Sequence, residues 1–194
     1  MSNSSENINT KNKIESLSKD MILTNGYNGF SYNDLSKSLG IKKASIHYYF
    51  SSKEELGLKF IKNFSEDIER AFDSFEKQKL NPKEKIESYL ELFESFANSK
   101  TKICPTGMLS SELNNIPDKM YQELLVFFEK TESWLNKTIS EGKNQKLFKD
   151  EIKENDFTLT IMSSIQGGLQ IARLKKEPDI YINISSQLKK QLFI

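Results

Sequence analysis

Apolar residues in this chain return every three to four positions, and that spacing restricts its fold more than any other feature. Phe60, Phe64, Ile68, Phe72 and Phe75 form the stripe that one face of an α-helix presents. The same spacing recurs through Ile86, Tyr89, Leu90, Phe93 and Phe96. It runs again from Met120 through Leu124, Phe127, Phe128, Trp134 and Leu135 to Ile139, and through Ile180, Ile184, Leu188 and Leu192. No stretch alternates apolar and polar residues as a half-buried strand does. The chain reads as all-α, with about nine helices and no internal repeat.

Punctuation sets the expected boundaries. Residues 1–9 are polar and are expected to be a disordered tail. A first helix follows from about Thr10 to Asn25, burying Ile14, Leu17, Met21 and Ile22, and ends at Gly26. Ser31 and Asp34 stand at capping-box spacing before a short helix carrying Leu35 and Leu39. Gly40 breaks that helix, and another runs from about Lys42 to Phe50. Ser52 and Glu55 repeat the capping spacing ahead of the Phe60 helix. Asn81-Pro82 opens a helix that reaches Phe96, with a break from Ser99 to Pro105 and a short helix near Gly107 to Leu113. Pro117 opens a long helix ended by Gly142; helices from Asn155 to Leu174 and Asp179 to Leu192 complete the chain.

Composition narrows the chemistry. The 194 residues suit one or two domains, and 28 Lys and Arg against 27 Asp and Glu leave a net charge of only +1. One cysteine, Cys104, forbids an internal disulfide; one histidine, His47, excludes a zinc site built from several Cys or His ligands, and no metal or cofactor is expected. The longest apolar run, Leu124 to Phe128, is too short to span a bilayer. The N-terminus lacks the apolar stretch of a secretory signal, which places the protein in the cytoplasm. Enzymatic activity is not expected. His47 and Cys104 fall in different domains of this reading, Gly167-Gly168 lies inside a helix pattern rather than after a strand, and neighbouring carboxylates such as Glu54-Glu55 point apart on a helix.

The segment Ser31 to Lys53 has the form of a helix-turn-helix: two short helices about a Gly-containing turn. Leu35, Leu39, Ile41, Ile46 and Phe50 supply its small core. Lys42, Lys43, Ala44, Ser45, His47, Tyr48 and Tyr49 are left on the outside or edges of the second helix, where they suit DNA. Charge is concentrated there. Residues 10–53 carry seven lysines against three carboxylates, a net +4, while residues 54–194 sum to −2.

From Lys13 through Leu56 the chain resembles the DNA-binding domain of the TetR/AcrR family of bacterial transcriptional regulators. The matching landmarks are Gly26-Tyr27, Phe30-Ser31, Asp34-Leu35, Gly40-Ile41, Ile46-His47-Tyr48-Tyr49-Phe50 and Lys53-Glu54-Glu55-Leu56. His47 departs from the aromatic residue, usually Tyr, found there. The resemblance implies a helix-turn-helix domain over 10–53 and a helical effector-binding and dimerisation domain over 54–194. It implies Lys43 to Tyr49 as the major-groove face, with Ser31, Tyr32 and Lys53 on phosphates. The only arginines are Arg70 and Arg173, so bidentate arginine–guanine contacts are absent and an operator less dominated by guanine is expected.

A repressor acting as a homodimer on a palindromic operator is the implied function. Ser164, Gly167, Gly168 and Ala172, with Ile184 and Leu188, are the expected dimer residues; an intramolecular packing face is the alternative. The family's small-molecule pocket places Phe64, Phe93, Phe96, Met108, Leu109, Phe127, Phe128 and Trp134 as candidate lining for an effector of unknown identity, although such stripes are also ordinary core. Cys104, in a Cys-Pro-x-Gly segment, resembles the cysteine through which some members sense electrophiles or oxidants. Lys100, Lys102 and a following helix N-terminus would favour its thiolate, and a buried structural role is the alternative. A helical protein–protein adaptor that has lost DNA binding is the competing function. Lys42, Lys43, Tyr48 and Lys53, all kept where a DNA reader needs them, stand against it.

Overall fold

The computed structural model describes residues 2–99, 102 and 104–194, with side chains from Asn9 onward. Ten α-helices and one 3-10 turn make up the described residues: α1 (Ser2–Asn25), α2 (Tyr32–Leu39), α3 (Lys43–Tyr49), α4 (Lys53–Lys77), α5 (Pro82–Glu91), α6 (Glu94–Ser99), α7 (Pro105–Ser111), the 3-10 turn (Leu113–Asn115), α8 (Asp118–Asn144), α9 (Glu154–Lys175) and α10 (Asp179–Leu192). They fall into two compact units, Met1–Glu66 with Pro105–Leu124 and Asp67–Cys104 with Leu125–Ile194.

In the first unit, α1 packs on α2 and α7, and α2 packs on α3. Ile14, Ile22, Leu23, Leu35, Ile46 and Phe50 are buried between them, while Leu17, Met21, Leu39 and Ile41 are only half-buried. α1 starts at Ser2, so residues 2–9, expected as a disordered tail, continue the helix; adding turns to an existing helix costs far less than nucleating one. Gly26 ends α1 with φ +84°, and Gly40 ends α2 with φ +66°, both left-handed positions that a residue without Cβ occupies without strain.

In the second unit, α9 packs along α10, and α6 packs on both. The Tyr181 hydroxyl, carried by α10, donates to the Leu90 carbonyl at 2.8 Å. Lys85 is buried on α5, and its ammonium reaches Glu76 at 2.6 Å and Glu141 at 3.5 Å. The helix expected to reach Phe96 is interrupted. Phe93 N–H bonds back three residues to Leu90 and Phe96 N–H three residues to Phe93, tightening the chain into a break between α5 and α6.

Gly142 does not end α8, which continues to Asn144. The glycine is there for room: a Cβ at Gly142 would run into the Phe148 ring. The turn itself is made by Lys146, at φ +56°.

Candidate nucleic-acid interface

The reading head is held by local hydrogen bonds. Ser31 and Asp34 form the expected capping box of α2: the Ser31 Oγ accepts from Asn33 N–H at 3.2 Å, and Asp34 accepts from Ser31 N–H at 2.8 Å and Ser31 Oγ at 2.7 Å. These hydrogen bonds hold the Asp34 carboxyl below the usual carboxylate range. The Ser36 hydroxyl donates across the turn to the Ile41 carbonyl at 2.6 Å. At the start of α4, Ser52 caps Glu55 N–H at 3.1 Å as expected, but the Glu55 carboxylate turns to Ser51, taking its N–H at 2.8 Å and its hydroxyl at 2.9 Å.

On α3, Ile46 points into the core, leaving Lys43, Ala44, His47 and Tyr48 exposed, with Ser45 and Tyr49 half-buried at the edges. Lys42, the residue before the helix, is exposed too. Tyr48 keeps 76% of its surface open and meets the Tyr49 ring in a T-shaped pair, at 5.0 Å between centroids. His47 is oriented by two contacts, its Nδ1 lying 3.2 Å from the Ser51 carbonyl and its ring 4.8 Å from that of Tyr32. A carbonyl only accepts, so Nδ1 carries the proton and a neutral ring offers Nε2 as an acceptor. Cations, hydroxyls, an imidazole and a small alanine on one short exposed helix suit base edges and phosphates together.

Two residues expected on phosphates face inward. Tyr32 is buried, its hydroxyl donates to the Phe50 carbonyl at 3.1 Å, and burial pushes its ionisation well above the ordinary tyrosine range, with Glu55 and Tyr27 adding to it. Lys53 donates to the Phe30 carbonyl at 2.5 Å, and its ammonium sits 4.6 Å and 4.5 Å from the Tyr27 and Phe30 ring centroids. Burial lowers its pKa, opposed by Glu112 and Asp34.

The expected effector residues are divided between the two units. Phe64, Met108 and Leu109 belong to the first unit, and Phe93, Phe96, Phe127, Phe128 and Trp134 to the second. Trp134, half-buried, stacks on Phe72 at 4.0 Å and lies 5.6 Å from Tyr89, in an aromatic cluster. Phe128 lines an open apolar groove of about 410 Å³ with Leu159, Thr160, Met162, Ser163 and Gln166, none of which was an expected lining residue.

Cys104 retains 1% of its surface, and its Sγ lies 3.7 Å from the Gln166 amide nitrogen. Lys100, invoked beside it, lies outside the described residues; Lys102 is half-buried.

Gly168, Ala172 and Leu188 are buried within one chain, where a Cβ on Gly168 would stand 3.0 Å from Ile184 Cδ1. Gly168 therefore serves the α9–α10 pair, while Ser164 is half-buried and Gly167 exposed. The outward face of α9 is instead Leu159, Ser163, Gly167, Ile171 and Leu174, with Leu159 55% and Leu174 83% exposed. The recurrence of these positions at four, four, four and three residues was the signal available in the sequence.

A capped helix-turn-helix that exposes a cationic, hydrogen-bonding second helix defines a DNA-binding transcriptional regulator. Residues 17–58 match the model described as "Bacterial regulatory proteins, tetR family". That match spans the helix-turn-helix and reaches into the helices on either side of it. The chain is 26% identical over 158 residues to the HTH-type transcriptional repressor DhaR of a Mycobacterium species, covering 81% of this chain and 78% of that protein. Over 53 residues it is 40% identical to IcaR, the HTH-type negative transcriptional regulator of the biofilm operon icaADBC in Staphylococcus epidermidis, covering 27% of this chain and 29% of that one. A TetR-family regulator from Agrobacterium tumefaciens has the same fold, with TM-score 0.90 at 24% identity, covering 97% of this chain and all of that one. Among the described residues, no helix is long and apolar enough to cross a membrane.

Proposed function

We propose that the chain is a cytoplasmic repressor that binds a palindromic operator as a homodimer and releases it when a small molecule or reactive electrophile acts on the helical part beyond the reading head. The exposed α3 face of Lys43, His47 and Tyr48, packed beside the capped α2, carries the DNA reading. One short helix reads too few bases to find a site alone, which is the reason for pairing two. The outward α9 stripe supports that pairing. Gly167 adds to it: among the described residues a Cβ there would meet nothing within 4 Å, so none of them demands a glycine.

The test is a mobility shift on DNA from upstream of the protein's own gene, at stated salt. Wild type is expected to shift it, and Lys43→Ala with Tyr48→Ala to abolish the shift while the folded circular dichroism signal persists. Binding blind to sequence, or none by wild type, overturns the reading. The electrophile arm has its own measurement. DNA release by N-ethylmaleimide or hypochlorite that persists unchanged in Cys104→Ser removes Cys104 as the sensor and leaves the small-molecule arm standing.

A further inference from the structure

The end of the reading helix carries a cation that lies outside the helix-turn-helix segment. Lys11 is exposed on α1, and its ammonium lies 5.6 Å from the centroid of the Phe50 ring. Phe50 closes α3; its carbonyl accepts the Tyr32 hydroxyl, and the Tyr32 ring packs on the exposed His47 ring. Lys11, Phe50, Tyr32 and His47 are thus one run of contacts that ends on the DNA-facing side of α3. A ring face attracts an ammonium without occupying its N–H donors, so the contact positions Lys11 and leaves those donors for phosphate oxygens. Among the described residues no carboxylate pairs with it. Lys53, the cation expected to bind phosphate beside this helix, instead donates to the Phe30 carbonyl between two aromatic rings.

We propose that Lys11 is a DNA-phosphate contact of the reading head, which carries each protomer's footprint from α3 onto the N-terminal helix. The proposal rests on the DNA-binding reading and adds a residue to it. α1 also supplies a control: Lys13 is exposed too, but two residues along a helix it projects to a different side.

The experiment selects duplexes from random DNA with the full-length wild-type chain. It then measures affinity for the selected duplex as salt rises from about 50 to about 200 mM. Each lost phosphate contact removes about 0.9 from the slope of log affinity against log salt, so Lys11→Gln, losing one in each protomer, is expected to flatten it by about 2. Its affinity deficit against wild type then shrinks about tenfold across that range, with the selected sequence unchanged. Lys11→Arg should restore the slope and Lys13→Gln leave it at the wild-type value. Lys11→Met, which keeps the stem over Phe50 without the charge, should match Lys11→Gln and shows that lost charge rather than misfolding is responsible. An unchanged slope in Lys11→Gln and Lys11→Met, or an equal loss in Lys13→Gln, overturns the assignment while DNA binding stands. If wild type selects no duplex at all, the DNA-binding reading fails and takes this inference with it.

Discussion

Tyr32 and Lys53 flank the α3 face, yet each directs its polar end at a main-chain carbonyl, Tyr32 at Phe50 and Lys53 at Phe30. A buried carbonyl deprived of its donor costs about 1 kcal/mol or more. Tyr32→Phe is therefore expected to lower unfolding free energy by about 1 kcal/mol in a urea titration and to leave operator affinity of the folded protein unchanged. Weaker binding at unchanged stability would return Tyr32 to the phosphates. Nothing in the sequence separates these roles, because a tyrosine one residue after a cap serves either one. What decides is where Phe50 ends α3, a tertiary fact. His47, by contrast, was legible as exposed from its helical phase against Ile46 and Phe50, and the structure adds the Ser51 carbonyl that orients its ring.

At the scale of elements, the legible boundaries were those made by local chemistry. The Ser31–Asp34 box, the Asn81-Pro82 start and the left-handed Gly26 and Gly40 act within a few residues of themselves, so their spacing is enough. The cap of α2 also has a pH signature. Hydrogen bonds from Ser31 depress the folded pKa of Asp34, so the stabilisation is complete above the ordinary carboxylate pKa and is lost as pH falls through the lower folded value. Following the Asp34 carboxyl by NMR should show this lowered midpoint, and Ser31→Ala should raise it. Boundaries set by packing were not legible. Gly142 looked like a stop, but it is a slot for Phe148, and a different residue, Lys146, makes the turn.

The same contrast separates two other glycine substitutions. Gly142→Ala forces a methyl group into the Phe148 ring and is expected to destabilise the chain by about 1–3 kcal/mol. Gly167→Ala adds a methyl group in open space on a helix and is expected to stabilise the isolated fold by up to about 1 kcal/mol. If the outward α9 stripe joins two protomers, Gly167→Ala also weakens the dimer in sedimentation equilibrium. A dimer of unchanged strength would remove that face from the interface. The small residues of α9 were visible in the sequence as a group; only burial divides Gly168, used against α10, and the buried Ala172 from Gly167, which faces out.

Over the whole molecule, the near-zero net charge hides a division of labour: residues 10–53 hold +4 and residues 54–194 hold −2. In the proposed dimer a modest positive patch, presented twice, would give affinity that salt and a conformational change could both reverse. Specificity has to come from base contacts, and here the composition is restrictive. Neither arginine lies in the reading head: Arg70 is on α4 and Arg173 on α9. An arginine fork on guanine O6 and N7 is the commonest specific contact and is worth about 1–3 kcal/mol of discrimination. Lysine supplies a mobile point charge without the planar fork, and on the proposed reading Lys43, Ser45, His47 and Tyr48 would spread discrimination over adenine, thymine methyl and guanine edges. Selection from random duplexes is thus expected to return a palindrome whose half-sites lack an invariant G·C pair at every contacted position. Introducing one fork, Ser45→Arg, should make a single position in each half-site markedly more guanine-dependent, while a variant outside the face, such as Lys62→Arg, changes nothing. An invariant G·C core selected by the wild type would mean that lysine, serine and tyrosine on this helix read guanine as strictly as arginine does.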